Sequence, residues 1–368
     1  MTFESNSLFH SAFKKLVRNK NALAGLACIA FSILIAIFAY WIAPDSSPNA
    51  NRMILEISGQ SPGFSMQFLA IKKDDPPSAG IIKRTFSGKP DDCTYIPIVS
   101  HEIKGDSLIV AKYVDEGVSE RKSFLLSSIN PGFREGYPGN IEKKTFWLGT
   151  DKYGRDILSR LIVGTRVSLS VGSIAVLISL TLGIILGALA GFYRGRTDDI
   201  IMWFINVIWS IPTLLLVFAI TLVLGKGFWQ VFIAVGLTLW VSVARMIRGQ
   251  VFSIRELEYI EAARALGYSH FRIITRHILP NVMGPVLVMG ASNFATAIVI
   301  EAGLSFLGVG VQPPQPSWGL MIKENYNFII THNPMLAIVP GLAIMILVLS
   351  FNLLGNGLRD ALDVRSNT

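Results

Sequence analysis

EYIEAARALGYSHFRIITRHILPN (Glu258–Asn281) lies between two apolar runs long enough to cross a bilayer. It reads as helix, break, helix. Glu256–Leu266 is rich in Ala, Leu, Glu and Arg, all strong helix formers. Gly267 follows where a helix ends on a left-handed residue. Ser269 then stands ready to cap a second helix. Pro280 is expected to end that helix, because it lacks the N–H that the ladder needs. The result is a short polar elbow. Ala262 and Ala263 would keep one face shallow, while Glu261 and the arginines Arg255, Arg264 and Arg272 offer charge to a partner. A solvated basic loop would account for the arginines, but not for the ordered Glu-Ala-Ala, glycine and proline.

Around this elbow the chain has membrane composition. Of 368 residues, 51% are hydrophobic and only 16% charged, with a mean hydropathy of +0.49; soluble domains carry about 25% charged residues. Apolar runs of about 17–25 residues match the hydrocarbon core, and five stand out: Ala22–Ala43, Val167–Phe192, Ile200–Leu224, Phe228–Ala244 and Met335–Leu354. A sixth, Val282–Gly308, is apolar except for Glu301. The spacing predicts six spans. The first follows Lys14, Lys15, Arg18 and Lys20, but its apolar part exceeds a signal core and "YWIAPDSS" offers no small-x-small cleavage site, so it reads as a retained anchor.

Lysines and arginines set the orientation. With the N-terminus cytoplasmic, fourteen fall in inside segments and one in each short outside loop, Lys226 and Lys323. The other seventeen lie in residues 44–166, a stretch long enough to be exempt from the rule. The net charge of +8 therefore reflects topology and not nucleic-acid binding.

Residues 44–166 form an external insertion with Pro-rich breaks at "DDPPSAG" and "GYPGN". Within it "YIPIVSHEIKGDSLIVAKYV" reads as two β-prone runs joined at Lys-Gly-Asp, giving a small β or irregular subdomain. In the second span Ser179, Gly183, Gly187 and Gly191 recur every four residues, a stripe that lets a helix of this chain or of a partner approach closely. Pro212 and Pro340 should kink the third and sixth spans. Glu301 is a candidate gating residue or a structural hydrogen-bonding one. Cys28 and Cys93 lie in different environments and build no disulfide framework. There is no G-x-x-x-x-G-K-[ST] phosphate loop, no metal-ligand spacing among His10, His101, His270, His277 and His332, and no catalytic triad within the membrane. Neither catalytic nor metal residues are assigned, and the chain is not expected to hydrolyse ATP.

The elbow also carries a resemblance. Glu261, Ala262, Ala263, Gly267, Leu279 and Pro280 fit E-A-A-x3-G-x9-I-x-L-P, the signature of importer-type ABC permeases. His277 stands where the general pattern has isoleucine, and "RHILPN" resembles the peptide-transporter version. The likeness extends through "ARMIRGQVFSIRELEYIEAARALG", "LGTDKYGRDILSRLIVGTRVSLSVG" (Leu148–Gly172), "EAGLSFLGVGVQPPQPSWG" (Glu301–Gly319), "NLLGNGLRDALDVR" (Asn352–Arg365) and "RNKNALAGL". Together these are similar to the C-type permease of dipeptide, oligopeptide and nickel ABC importers. Asn356 departs from the family's aspartate and Lys152-Tyr153 from its usual pair, both away from the elbow.

The resemblance implies an all-α polytopic membrane protein of type I ABC importer-like permease fold. It would have six transmembrane helices and the β-prone insertion between helices 1 and 2. The expected division is a cytoplasmic tail (1–21), helix 1 (22–43), the external insertion (44–166) and a permease core (167–368) holding the coupling loop 245–281. The resemblance also implies a second, B-type permease, two cytoplasmic ATP-binding subunits that hold ATP-Mg, and an external solute-binding protein. The chain itself would bind no cofactor and sit in the inner membrane with both termini cytoplasmic. A self-sufficient channel or carrier would call for more intramembrane charge or paired broken helices. A membrane-anchored receptor would depend on the insertion alone.

Overall fold

The structure is a computed structural model and describes residues 13–73, 80–129, 140–225, 227–330 and 333–362. Lys226, His10, His332, Arg365 and most of the "DDPPSAG" and "GYPGN" breaks lie outside the described residues. In chain order the elements are α1 (Lys20–Ile37), α2 (Ala39–Ile42), β1 (Phe64–Lys72), α3 (Ile81–Ser87), β2 (Cys93–Lys104), β3 (Ser107–Asp115), β4 (Val118–Leu125) and β5 (Ile141–Phe146). There follow α4 (Ile157–Tyr193), α5 (Gly195–Trp209), α6 (Thr213–Leu224), α7 (Phe228–Ile254), α8 (Glu258–Ala265), α9 (His270–Leu307), α10 (Trp318–Asn325) and α11 (Met335–Leu362).

Among the described residues five helices are long and apolar enough to cross a bilayer: α1, α4, α7, α9 and α11. The third predicted span differs. It consists of α5 and α6, bent by 94°, a break where the sequence predicts a kink. Pro212 cannot donate to the ladder and disfavours a helical residue before it, and with ψ of 127° it becomes the N-cap of α6. Pro340, by contrast, lies inside α11, which continues through it.

Contacts divide the chain into two units. The first comprises Met1–Ile33, Ser168–Gln312 and Ala343–Thr368. Its central helix is α7, with 67% of its apolar window buried against 17% for α1. The small-residue stripe of α4 lies on α7: a Cβ on Gly183 would stand 2.5 Å from Val243 Cβ, and one on Gly187 2.5 Å from the Ala244 carbonyl. At Gly191 the same atom would meet the Arg248 carbonyl at 2.7 Å. The stripe thus packs within the chain. Phe294 of α9 fills the space that Gly172 leaves open and stacks on Phe351, ring centres 3.9 Å apart. Asn293 donates to the Ser179 hydroxyl at 3.3 Å in the same buried layer. At the start of α1, Asn19 Oδ1 accepts from the N–H groups of Asn21 and Ala22 at 3.1 and 3.2 Å, capping the helix.

The second unit comprises Leu34–Val167 and Pro313–Leu342, so it takes in a stretch that the sequence division leaves in the core. It holds an antiparallel five-stranded sheet in the order β4-β3-β2-β1-β5. β2 and β3 are the two predicted runs, and Gly105 takes φ +56° in their turn. One face covers Leu69, Ile98, Leu108 and Val110, with Leu126 and Ile129 packed on them. The other packs Phe68 and Phe146 against Ile54 and Ile57. The three strands absent from the sequence reading have weak signals. β1 is buried on both faces at Phe68, Leu69 and Ala70, so it does not alternate, and β4 (VSERKSFL) is mostly polar and exposed.

Candidate functional site

The elbow is built from the end of α7, α8, one tight turn and the start of α9. Leu257 is extended (ψ 142°), and Glu258 and Glu261 occupy the first turn of α8, where carboxylates favour the positive end of the helix. The helix ends in two reciprocal bonds: Gly267 N–H donates to the Arg264 carbonyl at 2.9 Å, and Tyr268 N–H to the Ala263 carbonyl at 3.2 Å. This Schellman arrangement needs a left-handed residue at Gly267, whose φ is +76°. Ser269 Oγ accepts from Arg272 N–H at 3.4 Å and starts α9.

Here the sequence expectation needs correction, since Pro280 does not end the helix. Ile274–Ile278 form a π turn, and Leu279 N–H bonds to the Ile274 carbonyl five residues back. The wider turn redistributes the hydrogen bonds next to the missing N–H of Pro280, and α9 runs on to Leu307.

The two alanines divide their roles. Ala263 is buried with Ile260 against Val251, Ile273, Ile274 and Ile278. Ala262 is exposed, as are Glu258, Glu261, Ala265 and Leu266. Positions 258, 261, 262 and 265 share one helix face, so α8 shows the solvent a low ridge that carries two acids. Leu266 and Phe271, 73% and 77% exposed, flank it beyond the turn. A shallow acidic ridge with two apolar shoulders can enter a groove in another protein.

The arginines are mostly engaged within the chain. Arg255 donates to the Phe192 carbonyl, and its guanidinium lies 5.7 Å from the Phe192 ring centre, with that of Arg264 at 5.4 Å. Burial, then Arg264 and Arg194, push the Arg255 pKa down from its very high ordinary value. Arg272 stacks on Tyr268 at 4.2 Å, and Tyr268 stacks on His277. Phe192, buried and ringed by Arg255, Arg264 and His270, is therefore the anchor of the elbow. Sequence reasoning missed it, since one more aromatic at the end of an apolar run carries no distinguishing signal. Arg248 pairs with Asp198 through two bonds of 2.5 Å, tying α7 to α5. Leu279 is partly buried beside this core.

Two other predicted residues lie elsewhere. Glu301 is 1% exposed in α9 and accepts from Ser305 Oγ at 2.6 Å, while that oxygen accepts from Val311 N–H at 3.0 Å. The acid thus helps fold the chain back after α9. Pro212 stands at the 94° break.

A charge cluster in the second unit was also missed. Arg155 bonds Asp151 at 2.6 Å and Glu324 at 2.7 Å, and Arg160 reaches the same Glu324 oxygen at 3.2 Å. All four side chains are at most 8% exposed. They join "TDKYGRDILSR" to α10 across more than 160 residues of chain. Among the described residues no three His, Cys, Asp or Glu side chains are grouped to hold a metal.

Residues 183–367 match the family model described as binding-protein-dependent transport system inner membrane component. Residues 7–56 match the N-terminal membrane domain of oligopeptide transport permease C. A glutathione transport system permease protein GsiD of Pectobacterium atrosepticum is 44% identical over 217 residues, covering 59% of this chain and 72% of that one. The oligopeptide transport system permease protein OppC of Bacillus subtilis is 42% identical over 220 residues, covering 60% and 72%. Among solved structures, an inward-facing MetNI methionine ABC transporter aligns with a TM-score of 0.47 at 18% identity, over 56% of this chain and 97% of that one.

Proposed function

The chain belongs to the binding-protein-dependent transport system inner membrane component family, and from that premise we propose that it is the C-type permease of an ABC importer for di- or oligopeptides or small peptide-like solutes. The relatives named for oligopeptides and glutathione support that substrate class. The observation that carries the mechanism is the elbow: a rigid, capped α8 whose exposed ridge holds Glu261 and Ala262 while Ala263, Arg255 and Arg264 anchor it to the membrane helices.

In this reading α8 sits in a groove of a cytoplasmic ATP-binding subunit. Two such subunits hold ATP-Mg, a B-type permease completes the pore and an external binding protein delivers the solute. Glu261 meets a basic group in the groove and Ala262 lets the surfaces close. When ATP draws the two ATPases together, each pulls its elbow, and the pull passes through Phe192 into α4 and through the π turn into α9. The two access states are then shifted by the partner's nucleotide state, as in any linked two-state equilibrium. The bent α5–α6 pair counts as one broken span, which gives six spans with both termini cytoplasmic.

Glu261→Lys tests this. It reverses charge on an exposed residue, so the chain should insert in normal amounts. Peptide uptake should fall at least tenfold and ATP hydrolysis should no longer respond to the loaded binding protein. Normal uptake by this variant would remove the coupling role from Glu261.

A further inference from the structure

Helix α3 has no place in the transport reading. Its sequence, IIKRTFS, sets Ile82 and Phe86 four residues apart on one side, while Ile81 shares a face with Arg84 and Thr85. These three are among the most solvent-facing apolar residues described: 75%, 78% and 68% exposed for Ile81, Ile82 and Phe86. The helix is held through Arg84 and Thr85. Trp41 Nε1 donates to Thr85 Oγ1 at 3.2 Å, and the Arg84 guanidinium lies 4.4 Å from the Trp41 ring centre. Arg166 donates to the carbonyls of Thr85 and Phe86 at 3.1 and 3.2 Å, which satisfies the end of α3.

What holds α3 is the tip of the first span. α2 continues α1 through Phe38 N–H to the Leu34 carbonyl (3.0 Å) and Ile42 N–H to the Phe38 carbonyl (3.1 Å). It leaves Phe38, Trp41 and Ile42 about half exposed. α1 is long enough to cross a bilayer and only 17% of its apolar window is covered by its own chain, and a tryptophan at the end of a span sits at the headgroup level. The apolar side of α3 therefore adjoins the end of the span, at the depth where hydrocarbon meets headgroups. Lys83 beside it is exposed and cationic.

We propose that α3 is a bilayer-surface helix. Ile82 and Phe86 rest among the upper acyl chains, while Lys83 extends to the lipid phosphates. The helix thereby clamps the end of α1 to the membrane surface at the point where the chain leaves for the sheet. The proposal requires that α1 crosses the bilayer and nothing of the transport mechanism.

The test uses the full chain with Cys28 and Cys93 replaced by serine, reconstituted in phosphatidylcholine–phosphatidylglycerol vesicles. A nitroxide is attached at Ile82→Cys or Phe86→Cys, and at Lys104→Cys, exposed at the end of β2, as the aqueous reference. Both α3 side chains are mostly exposed, and the label at 86 replaces only the contact of the Phe86 ring with the Arg166 guanidinium, 5.6 Å from its centre. The ratio of collisions with oxygen to collisions with a water-soluble nickel chelate should be several-fold higher at 82 and 86 than at 104. A ratio equal to the reference would place α3 in water. Protection from both reagents would mean that a protein covers it. Either result overturns the proposal.

Discussion

Gly267 turns the elbow with open space where a side chain would stand: a Cβ added there meets no atom within 4 Å, yet φ is +76°. The demand is purely on the backbone, and it separates two substitutions. Gly267→Val should strain the turn by about 1–2 kcal/mol and shift α8, so that uptake falls severalfold while the chain still inserts. Gly267→Asn, which tolerates the left-handed region, should keep most of the uptake. Equal losses would show that the position is sensitive to any side chain and not to its backbone angle. Glu324 is the opposite kind of residue, defined wholly by what it touches. Glu324→Gln would leave Arg155 and Arg160, both 1% exposed, with Asp151 as their one remaining ion-pair partner among the described residues. Breaking a buried pair in this way costs about 3–5 kcal/mol. The detergent-solubilised variant should unfold at a clearly lower temperature, and its 141–167 stretch should become sensitive to protease. An unchanged unfolding temperature would deny the cluster a structural role.

At the scale of elements, the α4–α7 contact rests on small residues rather than on polar bonds. A side chain at Gly187 would collide with the Ala244 backbone, its Cβ 2.5 Å from the carbonyl and 3.0 Å from Cα, whereas one at Gly249 would meet open space. Gly187→Leu should therefore lower the yield of folded protein and its unfolding temperature by far more than the about 1–3 kcal/mol of ordinary overpacking, because backbone cannot repack. Gly249→Leu should change neither, and a similar loss in both would refute the packing account. The repeat every four residues made this contact legible in the sequence, since only its partner had to be supplied. The elbow was legible for the same reason: caps and a left-handed glycine are local signals. Other elements were not. Pro280 reads as a stop because the sequence shows the missing N–H but not the π turn that accommodates it. β1 escaped because burial on both faces removes its alternation. The Arg155–Glu324 pair escaped because nothing local links charges 169 residues apart.

For the whole molecule, the features divide by what they demand of others. The glycine stripe, the Asn293–Ser179 bond and the Phe294–Phe351 stack complete themselves within the chain. The α8 ridge with Leu266 and Phe271 does not; it is ordered from within and exposed on its outer side. A self-sufficient carrier has no use for such a surface, while a subunit driven by a separate ATPase depends on it. The most direct measurement is purification of the tagged chain from its own membrane in mild detergent, with every co-purifying chain identified by mass spectrometry. The account predicts a second permease and ATP-binding subunits in fixed ratio to this chain, and their loss in the Glu261→Lys variant or a marked weakening of their hold. Recovery of the chain alone, folded and monodisperse, would contradict it.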